Sequence, residues 1–132
     1  MSSLHRKILV CVVGSRVDCA LVVRPVNASV LSGQSVVLRC HSDASSPINP
    51  VNWFRRVNGG TSEQIAASCR LYPAFTSVYN FTSANTGQCD LVISSVDASL
   101  TGVYTCQEAS GLSPESASAY LTVIGECYST CC

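Results

Sequence analysis

Charge is scarce in this chain: only 12% of its 132 residues are charged, and eight Lys and Arg balance eight Asp and Glu. Such a surface offers no basic face to a phosphate backbone, which excludes nucleic acid as a partner. No apolar run approaches the roughly 20 residues that a membrane helix needs, so no membrane span is expected. Histidine occurs twice and no Cys-x-x-Cys pair exists, which argues against zinc modules and thioredoxin-like redox chemistry. A nucleophile elbow, a phosphate loop and a zinc-protease motif are all missing. Outside the first 20 residues His41 is the only histidine, and its nearness in sequence to Asp43 and several serines is weak evidence for a triad. The chain is therefore expected to be no enzyme and to use no cofactor and no metal. It also lacks a helix-period apolar stripe and any repeat of solenoid length.

Cysteine, by contrast, is abundant. Nine cysteines in so short a chain fit an oxidising compartment. The length suits one domain with short ends. Residues 1–20 have the layout of a secretory signal peptide: His5, Arg6 and Lys7 precede the apolar run Ile8 to Gly14. Cleavage is expected after Gly14, Ser15, Cys19 or Ala20; the other reading is an irregular leading strand. The chain is expected to be secreted, or to be a fragment of a longer anchored protein. Beyond Arg24 four basic residues face seven acidic ones, an ordinary balance for an extracellular module.

From Pro25 onward, short alternating segments are separated by turn residues every eight to twelve positions, which predicts an all-β sandwich. Val36, Leu38 and Cys40 alternate with Ser35, Val37 and Arg39, which puts Cys40 on a buried face. The polar run His41 to Pro50 reads as an exposed loop. In the next strand Val51, Trp53 and Arg55 share the inner face, while Asn52, Phe54 and Arg56 share the outer one. Asn58-Gly59-Gly60 is a hairpin signal leading to a weaker strand around Glu63–Ala67. One or two short edge strands are expected between Ser68 and Gln88. Leu91 and Ile93 point inward in the following strand, and strands over Gly102–Glu108 and Ala117–Ile124 complete the pattern.

The chain is organised around Cys40, Trp53 and Cys106, the tryptophan 13 residues after the first cysteine and Tyr104 two residues before the second. With Leu91-x-Ile93-x-x-Val96 and Gly102-x-Tyr104-x-Cys106, this spacing resembles the immunoglobulin superfamily over residues 25–125. The Cys40 to Cys106 separation of 66 resembles its V-set, or variable, type. The resemblance implies a two-sheet antiparallel Greek-key sandwich of eight or nine strands, a Cys40–Cys106 bridge under Trp53, and Tyr104 as a tyrosine corner. Two positions depart from the family pattern. Leu100 stands where the family has Asp, so the usual Arg–Asp pair is expected to be missing, with Asp97 a poor substitute. Ala117-Ser118-Ala119-Tyr120 replaces the Gly-x-Gly bulge of rearranging antigen receptors, which argues against antibody-like pairing.

Cys69 and Cys89 are candidates for a second bridge, two buried thiols being the other reading. Cys127, Cys131 and Cys132 lie in a cysteine-rich tail, residues 126–132. Loss of the leader would leave an odd number of cysteines, so a disulfide-linked homodimer is a candidate assembly. The same tail is compatible with the start of a further module. Asn27-Ala28-Ser29 and Asn80-Phe81-Thr82 are N-glycosylation sequons. The family resemblance implies recognition of a protein or glycan ligand by the end loops or by the outer face of strands 51–57 and 102–108. Phe54, Arg56, Gln64, Thr105, Gln107 and Leu112 are the candidate contacts. The alternative function is an adhesive or structural spacer.

Overall fold

The computed structural model describes residues 21–42, 51–57, 59–82, 89–109 and 114–125. Within these described residues eleven strand segments build two facing layers. In the larger sheet the order is β2 (Ala28–Leu31), β11 (Ser116–Ile124), β10 (Gly102–Glu108), β5 (Val51–Arg56), β6 (Ser62–Ala67) and β7 (Arg70–Leu71). Its pairs are antiparallel except β2, which runs parallel to β11. The other layer combines β3 (Val36–Leu38), β9 (Leu91–Ile93) and β8 (Tyr79–Phe81) with the pair β1 (Leu21–Val23) and β4 (His41–Ser42).

The eleven segments reduce to nine strands once β1–β2 is taken as one edge that switches layers and β3–β4 as one strand interrupted at Arg39–Cys40. The interruption has a chemical cause. The Cys40 N–H donates to Asp90 Oδ1 at 3.1 Å, a side chain taking the place of a ladder carbonyl. The Cys40 carbonyl still accepts from the Cys89 N–H at 3.0 Å, which keeps β3 and β9 together beyond their formal ends. His41 and Ser42, read from their polarity as loop, therefore continue the strand, and Leu21 extends the sandwich N-terminally of Pro25 with its side chain buried.

Alternation explains the layering. In β10, Gly102, Tyr104, Cys106 and Glu108 are buried, whereas Val103, Thr105 and Gln107 lie on the outer face. Leu38, Cys40, Trp53, Ile65, Leu91, Ile93, Val96, Tyr104, Cys106 and Leu121 form one contiguous core. Removing a large apolar side chain of this kind from water contributes about 1.5–3 kcal/mol. Gly102 is needed where β10 begins: its φ is +157°, and a Cβ there would sit 2.7 Å from the Arg56 carbonyl oxygen. Among the described residues no helix is long and apolar enough to cross a membrane.

Candidate recognition face and the frame beneath it

The frame is tighter than a single bridge. Cys40 is bonded to Cys106 with the Cα atoms 6.6 Å apart, and Cys69 to Cys89 with the Cα atoms 5.7 Å apart; both separations are normal for disulfides. Trp53 lies opposite Cys106 in the β5–β10 register. Its indole N–H donates to the Cys89 carbonyl at 2.8 Å. Since the Cys89 N–H is bonded to Cys40, this one residue connects the tryptophan, both bridges and both layers. A hydrogen bond from the tryptophan side chain to the backbone of a cysteine in the second bridge has no signature in residue spacing.

The second bridge holds an unusual turn. Ser68 and Cys69 have φ angles of 50° and 58°, and Ala67 pairs with Arg70 across them. Two left-handed residues between paired strands make the tight primed hairpin that Asn and Gly normally supply. Here the conformation is imposed from outside. The Ser68 N–H donates to Asn52 Oδ1 at 2.8 Å, the Cys69 N–H donates to the Val51 carbonyl at 2.8 Å, and the Cys69 sulfur is tied to Cys89.

At the other end of the core, Tyr104 Oη donates to the Leu100 carbonyl at 2.7 Å. Its proton being used there, the 3.2 Å contact between the hydroxyls of Tyr79 and Tyr104 has Tyr79 as donor. Burial pushes both phenols above the ordinary tyrosine value. Arg55 braces the same turn, its guanidinium donating to the Ser99 carbonyl and, at 3.4 Å, to the Thr101 carbonyl while lying 3.6 Å from Glu63. Leu100 is buried. Asp97 caps the short 3-10 turn Ala98–Leu100 by accepting from the Ser99 N–H at 2.8 Å, and the Ser99 hydroxyl and amide bonds hold its carboxyl below the usual range. Arg55 thus bonds backbone carbonyls of the turn, and Asp97 serves as its cap.

On the solvent side of the larger sheet, register aligns Gln64, Phe54, Thr105 and Ser118 in one row across four strands. Thr105 Oγ1 and Ser118 Oγ are 2.6 Å apart. The neighbouring rows are Arg56, Val103 and Tyr120 on one side and Asn52, Gln107 and Ser116 on the other. Phe54, Gln64, Thr105 and Gln107 are half-buried and Arg56 is exposed. The result is a partly exposed aromatic ring in a polar surround on a rigid sheet. Leu112 lies outside the described residues, as do positions 43–50 of the proline-containing loop.

Two carboxylates anchor the base of the loop between β10 and β11. Buried Glu108 accepts from the Glu115 N–H at 3.0 Å and from the Ser42 hydroxyl at 3.0 Å. Glu115 accepts from the Leu21 N–H at 2.7 Å and pairs with Arg24 at 3.0 Å. His41 Nε2 lies 3.1 Å from Asp90 Oδ1, off line for a hydrogen bond. Asp90 also approaches Arg39 at 3.5 Å. The acid facing His41 is therefore the one that holds the Cys40 backbone. Among the described residues no three His, Cys, Asp or Glu side chains are grouped to hold a metal.

Asn27 and Asn80 are both exposed, their carboxamide oxygens accepting from the Tyr120 and Phe81 N–H groups at 2.8 Å. Residues 1–20 and the tail with Cys127, Cys131 and Cys132 lie outside the described residues, so the leader and the interchain bridge stay as sequence expectations.

Two sheets pinned by a bridge under tryptophan, with a tyrosine corner, define an immunoglobulin-type sandwich. The model of the immunoglobulin V-set domain matches residues 23–124, and the chain belongs to that family. It is 28% identical over 89 residues to human (Homo sapiens) signal-regulatory protein beta-1, covering 67% of this chain and 22% of the relative. It is likewise 28% identical over 80 residues to tyrosine-protein phosphatase non-receptor type substrate 1 of Bos taurus, covering 61% of this chain and 16% of that protein. The chain thus spans less than a quarter of the length of these relatives. Among solved structures it resembles a chain from the titin M10–obscurin-like 1 Ig complex, with a TM-score of 0.63 and 22% identity over 83% of this chain and 97% of that one. At that identity the likeness concerns the fold alone.

Proposed function

We propose that the chain is a non-catalytic, extracellular recognition module of immune type that binds a protein ligand through the outer face of its larger sheet. The observation that carries this reading is Phe54, half-buried in the middle of that face, with Gln64 and Thr105 beside it in register and exposed Arg56 two residues along. Aromatic and arginine side chains in a polar surround are the residues that dominate binding energy at protein interfaces. V-set membership and a relative named as signal-regulatory support a recognition role. The backbone supports it too, because the face rests on two bridges and a hydrogen-bonded core, so little ordering is lost when a partner docks.

Tetramers of the secreted chain, applied to cells each displaying one surface protein, test the role. Saturable binding to at least one protein ectodomain, insensitive to glycan removal from the displaying cells, is expected. Binding that disappears with those glycans would replace the protein ligand by a carbohydrate one. Absence of saturable binding, together with disulfide-linked multimers on non-reducing gels, would favour a structural spacer.

A further inference from the structure

The outward face of the smaller sheet has a composition that the recognition reading leaves unused. Register places Val37, Val92 and Asn80 in one row across β3, β9 and β8. Val37 is 46% exposed, Val92 half-buried, and Val78, two residues before Asn80, 38% exposed. Isolated surface valines are ordinary, but these surround the one sequon asparagine that lies within a described strand of this layer. Asn80 is exposed, and the atom of its carboxamide that accepts from the Phe81 N–H, at 2.8 Å, is the oxygen and not the nitrogen that a sugar would take. Thr82, whose hydroxyl completes the acceptor motif, is exposed as well.

We infer that Asn80 carries an N-linked glycan whose inner N-acetylglucosamine residues lie along this row and cover Val92 and Val37. In the transfer, the Asn80 amide nitrogen bonds to C1 of the first sugar of a lipid-pyrophosphate-linked oligosaccharide. The C1–oxygen bond to pyrophosphate breaks, and the amide nitrogen loses one proton. Adjacent strands are about 4.8 Å apart, so Val92 and then Val37 fall within the span of the first two sugars. The acetyl methyl groups and the C–H faces of the pyranose rings are the apolar surfaces that meet the valines. A glycan so placed closes the smaller sheet to protein partners and leaves the sheet that carries Phe54 open.

This inference rests on the extracellular part of the proposed function, and the test separates the two. All 132 residues are expressed in a mammalian secretory line with methyl-labelled valine, and the Asn80 glycopeptide is analysed by mass spectrometry. Expected are an occupied Asn80 and nuclear Overhauser contacts between sugar acetyl methyls and the methyls of Val92 and Val37. In Thr82→Ala, which removes the acceptor hydroxyl and leaves Asn80 in place, the mass of one glycan disappears. The Val37 and Val92 methyl resonances then shift, while those of Val103 on the opposite sheet stay where they were. A secreted chain with a bare Asn80, or a glycan without those contacts and shifts, overturns this inference alone. A chain retained in the cytosol overturns the extracellular reading and this inference with it.

Discussion

Raising the pH above 10 is expected to unfold this protein through two buried phenols. Tyr79 is 4% exposed and Tyr104 fully buried. Their hydroxyls are joined to each other, and Tyr104 is joined to the Leu100 carbonyl. Burial disfavours the charged form of both phenols, and a phenolate at Tyr104 would besides lose its bond to that carbonyl, so both groups titrate above the ordinary 10.0 while folded. In the unfolded chain they ionise near their ordinary value. The unfolded state therefore holds fewer protons than the folded one above pH 10, and the stability that the neutral pair contributes is complete below pH 10 and falls as the pH rises. The slope is about 1.4 kcal/mol per pH unit for each tyrosine that is ionised in the unfolded chain and still neutral in the folded one, and Tyr104, the more strongly shifted of the two, sustains it over the wider range. Against a net stability of about 5–15 kcal/mol, a few pH units of that slope remove a substantial part of what holds the fold. Absorbance of the phenolate near 295 nm, followed beside far-ultraviolet circular dichroism, reports both events. Two of the five tyrosines are expected to ionise only as the strand signal is lost, and Tyr104→Phe moves one of them out of that step. Reversible ionisation of all five with the dichroism unchanged would refute the reasoning.

Three further perturbations follow from the frame. Ser68→Gly relieves a left-handed residue at the β6–β7 turn and is expected to raise stability by about 1 kcal/mol in urea melts; no gain would mean that the surrounding bonds relieve the backbone fully. Asp90→Ala strips the Cys40 N–H of its acceptor in a buried setting and is expected to destabilise by about 2 kcal/mol, whereas an unchanged denaturation midpoint would show that water or a carbonyl takes over. Replacing Cys69 and Cys89 together by Ala opens a loop of sequence separation 20 and is expected to remove about 3 kcal/mol, read as a lowered thermal midpoint. A midpoint equal to the parent's would contradict the stapling role.

The sandwich was legible because its signals are periodic. Alternation in Val51–Arg56 and in Gly102–Glu108 separates core from surface by itself, and the Cys, Trp and Tyr spacing carries the resemblance to the V-set. Strand order at the edge was less legible. Whether β1 and β2 join the same sheet depends on a crossover at Arg24–Asn27, and the parallel β2–β11 pair follows from that crossover. The polar supports were hidden for another reason. Asp90, Glu108 and Asn52 look like surface residues in a sequence, yet their oxygens accept backbone N–H groups from partners 50, 7 and 16 positions away. Composition and period carry no information on such pairings. Leu100 shows the same limit from the other side: the absent aspartate was visible, while the bracing of the turn by Arg55 through carbonyl oxygens was not.

The face around Phe54 is the central claim, and one comparison tests it. Tetramers of Phe54→Ala and Arg56→Glu are titrated onto cells displaying the captured ligand, beside the parent and a Val22→Thr control on the opposite layer, all with matched circular dichroism and thermal midpoints. Loss of a central aromatic anchor is worth about 2 kcal/mol or more, so Phe54→Ala is expected to weaken binding at least tenfold, Arg56→Glu to weaken it as well, and Val22→Thr to bind like the parent. Parent-like binding by both face variants would contradict the account and move recognition to the loops at the ends of the sandwich.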